Sequence, residues 1–125
     1  ETLTNKTLTT PAITTPTLTG TPIEDVYTIT DGAAFEIDPA NGSIQSITLG
    51  ANRTPKATNF QNGQSVTLAV DDGTAYTLTW TDTTFGASGI KWIGTAPTLA
   101  TSGLTWITLL KMGGQVYRSS AGASS

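Results

Sequence analysis

The chain has 125 residues, and its nine acidic and six basic side chains give a net charge of −3. This sparse, mixed charge provides neither a basic surface for nucleic acid nor a polybasic segment for a membrane, so we expect neither partner. The sequence contains no cysteine and no histidine. It therefore lacks a thiol nucleophile, the commonest metal ligand and the commonest acid/base, and we expect no enzyme, no metal site and no cofactor.

The composition indicates an all-β fold. Threonine occupies 27 positions and glycine 13, and β-branched residues separated by turn residues favour strands over helices. The longest apolar runs, such as residues 106–110, are far shorter than the roughly 20 residues of a membrane span.

Residues 1–23 carry an aliphatic side chain at every fifth position, which we call the pentad segment. This spacing fits neither a helix nor a strand, and the segment is broken by Pro and Gly into short extended units. Five side chains cannot form a core alone, so we expect them to pack against other copies of the chain. The alternative is a disordered Thr/Pro linker. The five candidate oligomerisation residues are Leu3, Leu8, Ile13, Leu18 and Ile23.

The chain begins with Glu1 in the middle of a repeat. We therefore expect it to be the C-terminal portion of a longer protein.

Residues 24–120 predict a series of short strands separated by turns. Alternating residues indicate strands at 26–30, 34–37 and 43–49, followed by an irregular stretch at 50–63. The clearest predicted hairpin pairs Val66, Leu68 and Val70 with Tyr76, Leu78 and Trp80 around an Asp72-Gly73 turn.

Further strands are predicted at 90–94 and 104–112, and Gly113-Gly114 should close a hairpin onto residues 115–120. Seven or eight such strands are typical of a small β-sandwich, jelly-roll-like domain, with an open barrel as the alternative. Residues 121–125 should form a flexible end.

No acidic motif predicts a metal or catalytic site. Asp71 and Asp72 are adjacent, but no calcium-loop pattern surrounds them, and turn chemistry accounts for Asp72. Among the aromatic residues, Trp80 belongs with the predicted core. Trp92 and Trp106 lie on strands that are apolar on both faces, which indicates burial in the core or a subunit interface. The alternative is that these two tryptophans recognise a surface or a glycan.

The pentad stretch "ETLTNKTLTTPAITTPTLTGT" resembles threonine-rich "LTNKTLT…P" repeats of tail-fibre and other virion structural proteins of tailed bacteriophages. Residues 35–80 and 94–117 are similar to a small β-rich domain that ends many such proteins. The resemblance implies a homotrimer in which the five pentad aliphatics stack in layers around a three-fold axis.

The resemblance further implies a virion component, assembled in the bacterial cytoplasm, that contacts other virion proteins of the tail, portal or capsid. A trimeric tail-fibre-type protein is the leading hypothesis. The alternatives are a capsid decoration or head-fibre protein, and a module that binds a host surface glycan.

Overall fold

The computed structural model describes residues 1–71 and 76–124. It confirms the predicted all-β class, because the described helices are two short 3-10 turns, Pro39–Asn41 and Thr83–Phe85. In these two ranges no helix has the length and apolar character needed to cross a membrane. The strands are β1 Val26–Thr28, β2 Ile44–Thr48, β3 Ser65–Asp71, β4 Lys91–Trp92, β5 Thr105–Met112 and β6 Gln115–Ala123.

The six strands form a single sheet in the order β1-β2-β3-β5-β6-β4. Strands β1, β2 and β3 run parallel, β5 is antiparallel to both β3 and β6, and β4 is parallel to β6. The described strands thus provide one sheet, and the two sheets of the predicted sandwich are not confirmed. Strand β6 extends to Ala123, into the segment 121–125 for which we expected a flexible end.

Between consecutive parallel strands, the chain forms a second row of parallel contacts. Residue Glu36 bridges Lys56, and Arg53 bridges Leu78. Backbone N–H groups of Thr54 and Lys56 donate to the carbonyls of Ala33 and Phe35. The chain therefore alternates between the sheet and this second row, in the manner of a short solenoid.

The hydrophobic core lies against one face of the sheet. Period-two alternation places Val66, Leu68 and Val70 of β3 on this face, in register with Leu109, Ile107 and Thr105 of β5. The opposing side chains come from segments outside the strands. These covering residues are Phe35, Ile37, Ala57, Phe60, Trp80 and Phe85.

The predicted hairpin of residues 64–80 is wrong in its pairing. Strand β3 lies between β2 and β5, whereas residues 77–79 hydrogen-bond to Arg53 in the second row. The predicted turn at Asp72-Gly73 falls outside the described residues. Burial of Val66, Leu68, Val70 and Trp80 is confirmed, while Tyr76 and Leu78 are only partly buried. Local alternation predicted which faces are buried but not which segments pair.

The predicted hairpin at Gly113-Gly114 is confirmed. It joins β5 to β6, with Met112 paired to Gln115. Both glycines have positive φ, +60° and +78°, as a two-residue type I′ turn requires.

An ion pair fastens the first crossing of the chain to the second. The Arg53 guanidinium donates to both carboxylate oxygens of Asp31, at 2.9 and 2.6 Å, and the Gly50 N–H donates to the same carboxylate at 3.0 Å. These hydrogen bonds, Arg53 foremost, hold the pKa of Asp31 below its ordinary 3.8.

The substitution Leu68→Ala should lower the free energy of unfolding by roughly 2–5 kcal/mol, because it leaves a cavity in the middle of the core. Urea unfolding followed by circular dichroism measures this change. The matched control is Leu110→Ala on β5, whose side chain is exposed and whose loss should cost about 0.5 kcal/mol or less. Equal losses at the two sites would contradict the assignment of the buried face.

The substitution Asp31→Asn should destabilise the fold at pH 7 but not in strong acid. A carboxylate whose folded-state pKa is depressed stabilises the fold above its unfolded pKa, and this contribution is lost as pH falls through the folded pKa. The difference in unfolding free energy between wild type and variant should therefore shrink below about pH 4 and be lost as the pH falls through the lowered folded-state pKa of Asp31. Asp25→Asn, at an exposed carboxylate, is the control. A difference that is independent of pH would refute the ion pair's role.

Candidate functional site

The pentad segment is the first candidate site, and its backbone repeats with the same period as its side chains. Positive φ angles recur at Asn5, Thr10, Thr15 and Gly20. Threonine is β-branched and rarely adopts this left-handed conformation. The side chains of the five pentad aliphatics therefore occupy equivalent places in a repeating, kinked and extended chain.

Nothing in the described chain covers this repeat. The five aliphatic side chains are between 54% and 98% exposed. Within the described ranges, no backbone hydrogen bond joins residues 1–23 to the rest of the protein. The segment thus presents exposed apolar side chains and backbone groups without a partner in the described chain, two features that favour association with another chain.

The second candidate site is a cavity of about 400 Å³ at the β4 end of the sheet. Its floor is formed by Ile107 and Arg118, and a partly buried Trp92 closes one side. Threonine and tyrosine residues, aliphatic residues and Trp80 form the remaining walls. The wall residues are Tyr76, Thr77, Leu78, Trp80, Ala96, Pro97, Thr98, Leu99 and Thr101.

Strand β6 carries Arg118 into the protein interior. Along β6, Val116 and Arg118 have the same orientation, and both are buried on the core face of the sheet. Arg118 lies opposite Leu109 of β5 and beside Trp92 of β4. A guanidinium thus occupies a position that the strand pattern assigns to an apolar side chain.

Two indole rings enclose this guanidinium. The Arg118 Cζ lies 3.2 Å from the ring centroid of Trp92 and 4.4 Å from that of Trp80. Cation–π attraction therefore holds the side chain between the rings. Trp80 in turn packs against Phe85, with ring centroids 5.5 Å apart, which anchors the site to the core.

The charge of Arg118 has no counter-ion in the described structure. The residue is 6% exposed, and neither Nε nor Nη1 finds a hydrogen-bond acceptor among the described residues. Burial lowers the pKa of Arg118 to about 9, so the group is still positive at neutral pH. A buried cation without an anion is energetically unfavourable, and buried polar groups are normally paired.

Glycine 89 sets the distance between Trp80 and β4. Its φ is +77°, and a Cβ added there would lie 2.5 Å from the Trp80 carbonyl oxygen. The neighbouring Ile90 N–H donates to that same oxygen at 3.0 Å. Close backbone approach at Gly89 therefore brings the two tryptophans to the same cavity.

The structure separates the two tryptophans that the sequence suggested for recognition. Trp92 contacts Arg118 in the cavity. Trp106 lies on β5, paired with Ala69 of β3 and Gly122 of β6 and out of phase with the core residue Ile107. The two rings therefore form no common platform. In the described ranges, no group of three or more acidic side chains is placed to hold a metal ion.

Sequence reasoning missed Arg118 and the role of Trp80 at the cavity. A signal existed, since Arg118 alternates in phase with Val116 on the predicted strand 115–120. The cavity wall at residues 96–99 had no signal, because nothing local in a Thr/Pro-rich loop indicates where it folds back.

No protein-family model, no curated protein and no solved structure matches the chain. The functional argument therefore depends on the two sites themselves.

Replacing Gly89 by Ala should destabilise the protein beyond the strain of the backbone alone. Gly94 has a similar φ, +80°, but a Cβ there would meet nothing within 4 Å. We expect Gly94→Ala to cost about 1–2 kcal/mol and Gly89→Ala distinctly more, because the new methyl group clashes with Trp80. Chemical denaturation of the two variants tests this. Equal costs would contradict the close approach.

Proposed function

We propose that the protein is a structural component of a bacteriophage virion, a trimeric fibre-type protein with a stalk and a knob. The pentad segment forms the stalk, and residues 24–120 form the knob. The observation that carries this proposal is the exposure of all five pentad aliphatics on a backbone that repeats with the same period.

The energetics of the pentad segment favour association. Ordering each residue costs about 1–2 kcal/mol in backbone entropy. Burial of the five aliphatic side chains would return roughly 1.5–3 kcal/mol apiece, and in a single copy they remain exposed. An ordered pentad segment therefore needs hydrogen bonds and shared burial from neighbouring chains.

Copies of the same chain are the best-matched partners for this segment. A second pentad segment has the same repeat length, so each aliphatic residue meets its equivalent in register, and closed homo-oligomers are the commonest assemblies of soluble proteins. Threonine on the flanks favours an extended backbone and can hydrogen-bond between chains. The number three comes from the resemblance to phage fibre proteins.

The resemblance also supports the virion context, with other virion proteins of the tail, portal or capsid as further partners. A capsid decoration or head-fibre protein would use the same assembly. Electron microscopy of virions bound by an antibody to this protein distinguishes the two. Label at the tail supports a tail fibre, label on the capsid supports a head fibre, and an unlabelled phage would refute both.

Light scattering of the purified chain should give about three times 12.9 kDa. The double substitution Leu8→Asp with Ile13→Asp should dissociate the trimer, because it places charges in the apolar layers. Circular dichroism of the knob should be unchanged in this variant.

The matched control is Thr9→Asp with Thr14→Asp, which adds the same charge beside the aliphatic positions. This variant should dissociate far less than the aliphatic variant, because it leaves the apolar layers intact. A monomeric wild type, or a double aliphatic variant that stays trimeric, would refute the stalk.

A further inference from the structure

The proposed stalk makes no use of Arg118 or of the cavity around it. Arg118 is more than nine-tenths buried, and two of its nitrogen atoms have no acceptor among the described residues. Within residues 1–71 and 76–124, the ion pair between Arg53 and Asp31 is the one that forms. No described carboxylate therefore neutralises Arg118.

The geometry indicates a site made for an anion brought from outside. The Arg118 Cζ lies over the rings of both Trp80 and Trp92, and these contacts restrict the orientation of the guanidinium plane. A planar guanidinium fixed in this way favours a carboxylate, which accepts a charge-assisted hydrogen bond from it. The cost of burying the charge is then offset when the anion is present.

The rest of the cavity indicates what the carboxylate is attached to. A volume of about 400 Å³ lies within the range of small-ligand sites, roughly 300–1,000 Å³. Its lining combines apolar residues, such as Leu78 and Leu99, with the hydroxyl-bearing residues Tyr76, Thr98 and Thr101. A ligand that matches these walls has apolar ring faces and hydroxyl groups.

We propose that the cavity binds a small sugar acid, with the carboxylate of the ligand on Arg118 and its ring against the walls of the cavity. The site lies within one copy of the chain, so binding does not depend on the stalk.

Calorimetric titration of the full chain with D-glucuronate, together with tryptophan fluorescence, tests the proposal. We expect saturable binding with a Kd of roughly 1 mM or tighter and a fluorescence change from Trp80 and Trp92. D-Glucose, which lacks the carboxylate, should not bind detectably. Absence of glucuronate binding, or equal binding of glucose, would overturn the proposal.

Benzoate distinguishes a sugar acid from an aromatic acid that carries the same carboxylate. We expect benzoate to bind more weakly than glucuronate, because it offers no hydroxyl groups to the threonine and tyrosine walls. If benzoate binds and glucuronate does not, the assignment to a sugar acid is wrong.

The substitution Arg118→Met should weaken glucuronate binding at least about tenfold, because it keeps an unbranched side chain and removes the guanidinium with its charge. Lys91→Met is the matched control, since it removes one exposed positive charge from β4 outside the cavity, and its Kd should match that of wild type. Unchanged binding by Arg118→Met would overturn the proposal.

Circular dichroism must show that Arg118→Met is folded. If it is not, Arg118→Lys takes its place. Lysine retains the charge but cannot present a planar fork between the indoles, so we expect weaker binding here too, and wild-type affinity would count against the proposal.

The variant Leu8→Asp with Ile13→Asp separates this site from the stalk. Its Kd for glucuronate should equal that of wild type whether or not the chain is trimeric. A loss of binding in this variant would show that the site is shared between copies, contrary to the proposal.

Discussion

The fold depends on burying one apolar face of a single sheet. The covering layer comes from the chain itself, because each crossing between parallel strands passes through the second row before it returns. Phe35, Ile37 and Trp80 all reach the core from such crossings. The Asp31–Arg53 ion pair ties successive crossings together. The same path of the chain therefore forms both the sheet and its covering layer. The solenoid-like arrangement positions these irregular segments over the core.

This dependence also explains where the cavity forms. At the β4 end of the sheet, the cover is formed by residues 76–80, Trp92 and the Thr/Pro-rich loop at 96–101. The loop is tied down where the Ala100 N–H donates to the Thr105 hydroxyl at 2.7 Å. A layer of this kind leaves space above the sheet, and Arg118 lies on the face that borders the space. An incomplete cover thus turns one core position into a candidate binding site.

Much of the fold was predictable because strand burial is a local property. Alternation at 43–49 and 104–112 predicted β2 and β5, and the Gly-Gly pair predicted the turn between β5 and β6. The partner of β3 was not predictable in the same way, since residues 44–48 and 105–110 are distant in sequence and pairing depends on the whole winding. The cavity depends on the same kind of long-range contact, because its lining residues come from segments that are distant in sequence. Local signals existed for Trp80 and Trp92, which the sequence analysis singled out, and for Arg118, as a charged residue in phase with an apolar one.

The pentad segment and the cavity have complementary physical requirements. Under the two proposals, the segment gains stability from other chains, whereas the cavity lies within one copy and gains stability from a ligand. If the pentad segments join three copies, one particle carries three identical cavities close together. Linked sites raise the effective concentration of each next binding event, so a sugar-acid affinity that is weak at one site becomes useful at a repeating surface. Under the two proposals, the stalk therefore raises the avidity by joining three cavities, and Arg118 recognises the carboxylate of the ligand in each of them.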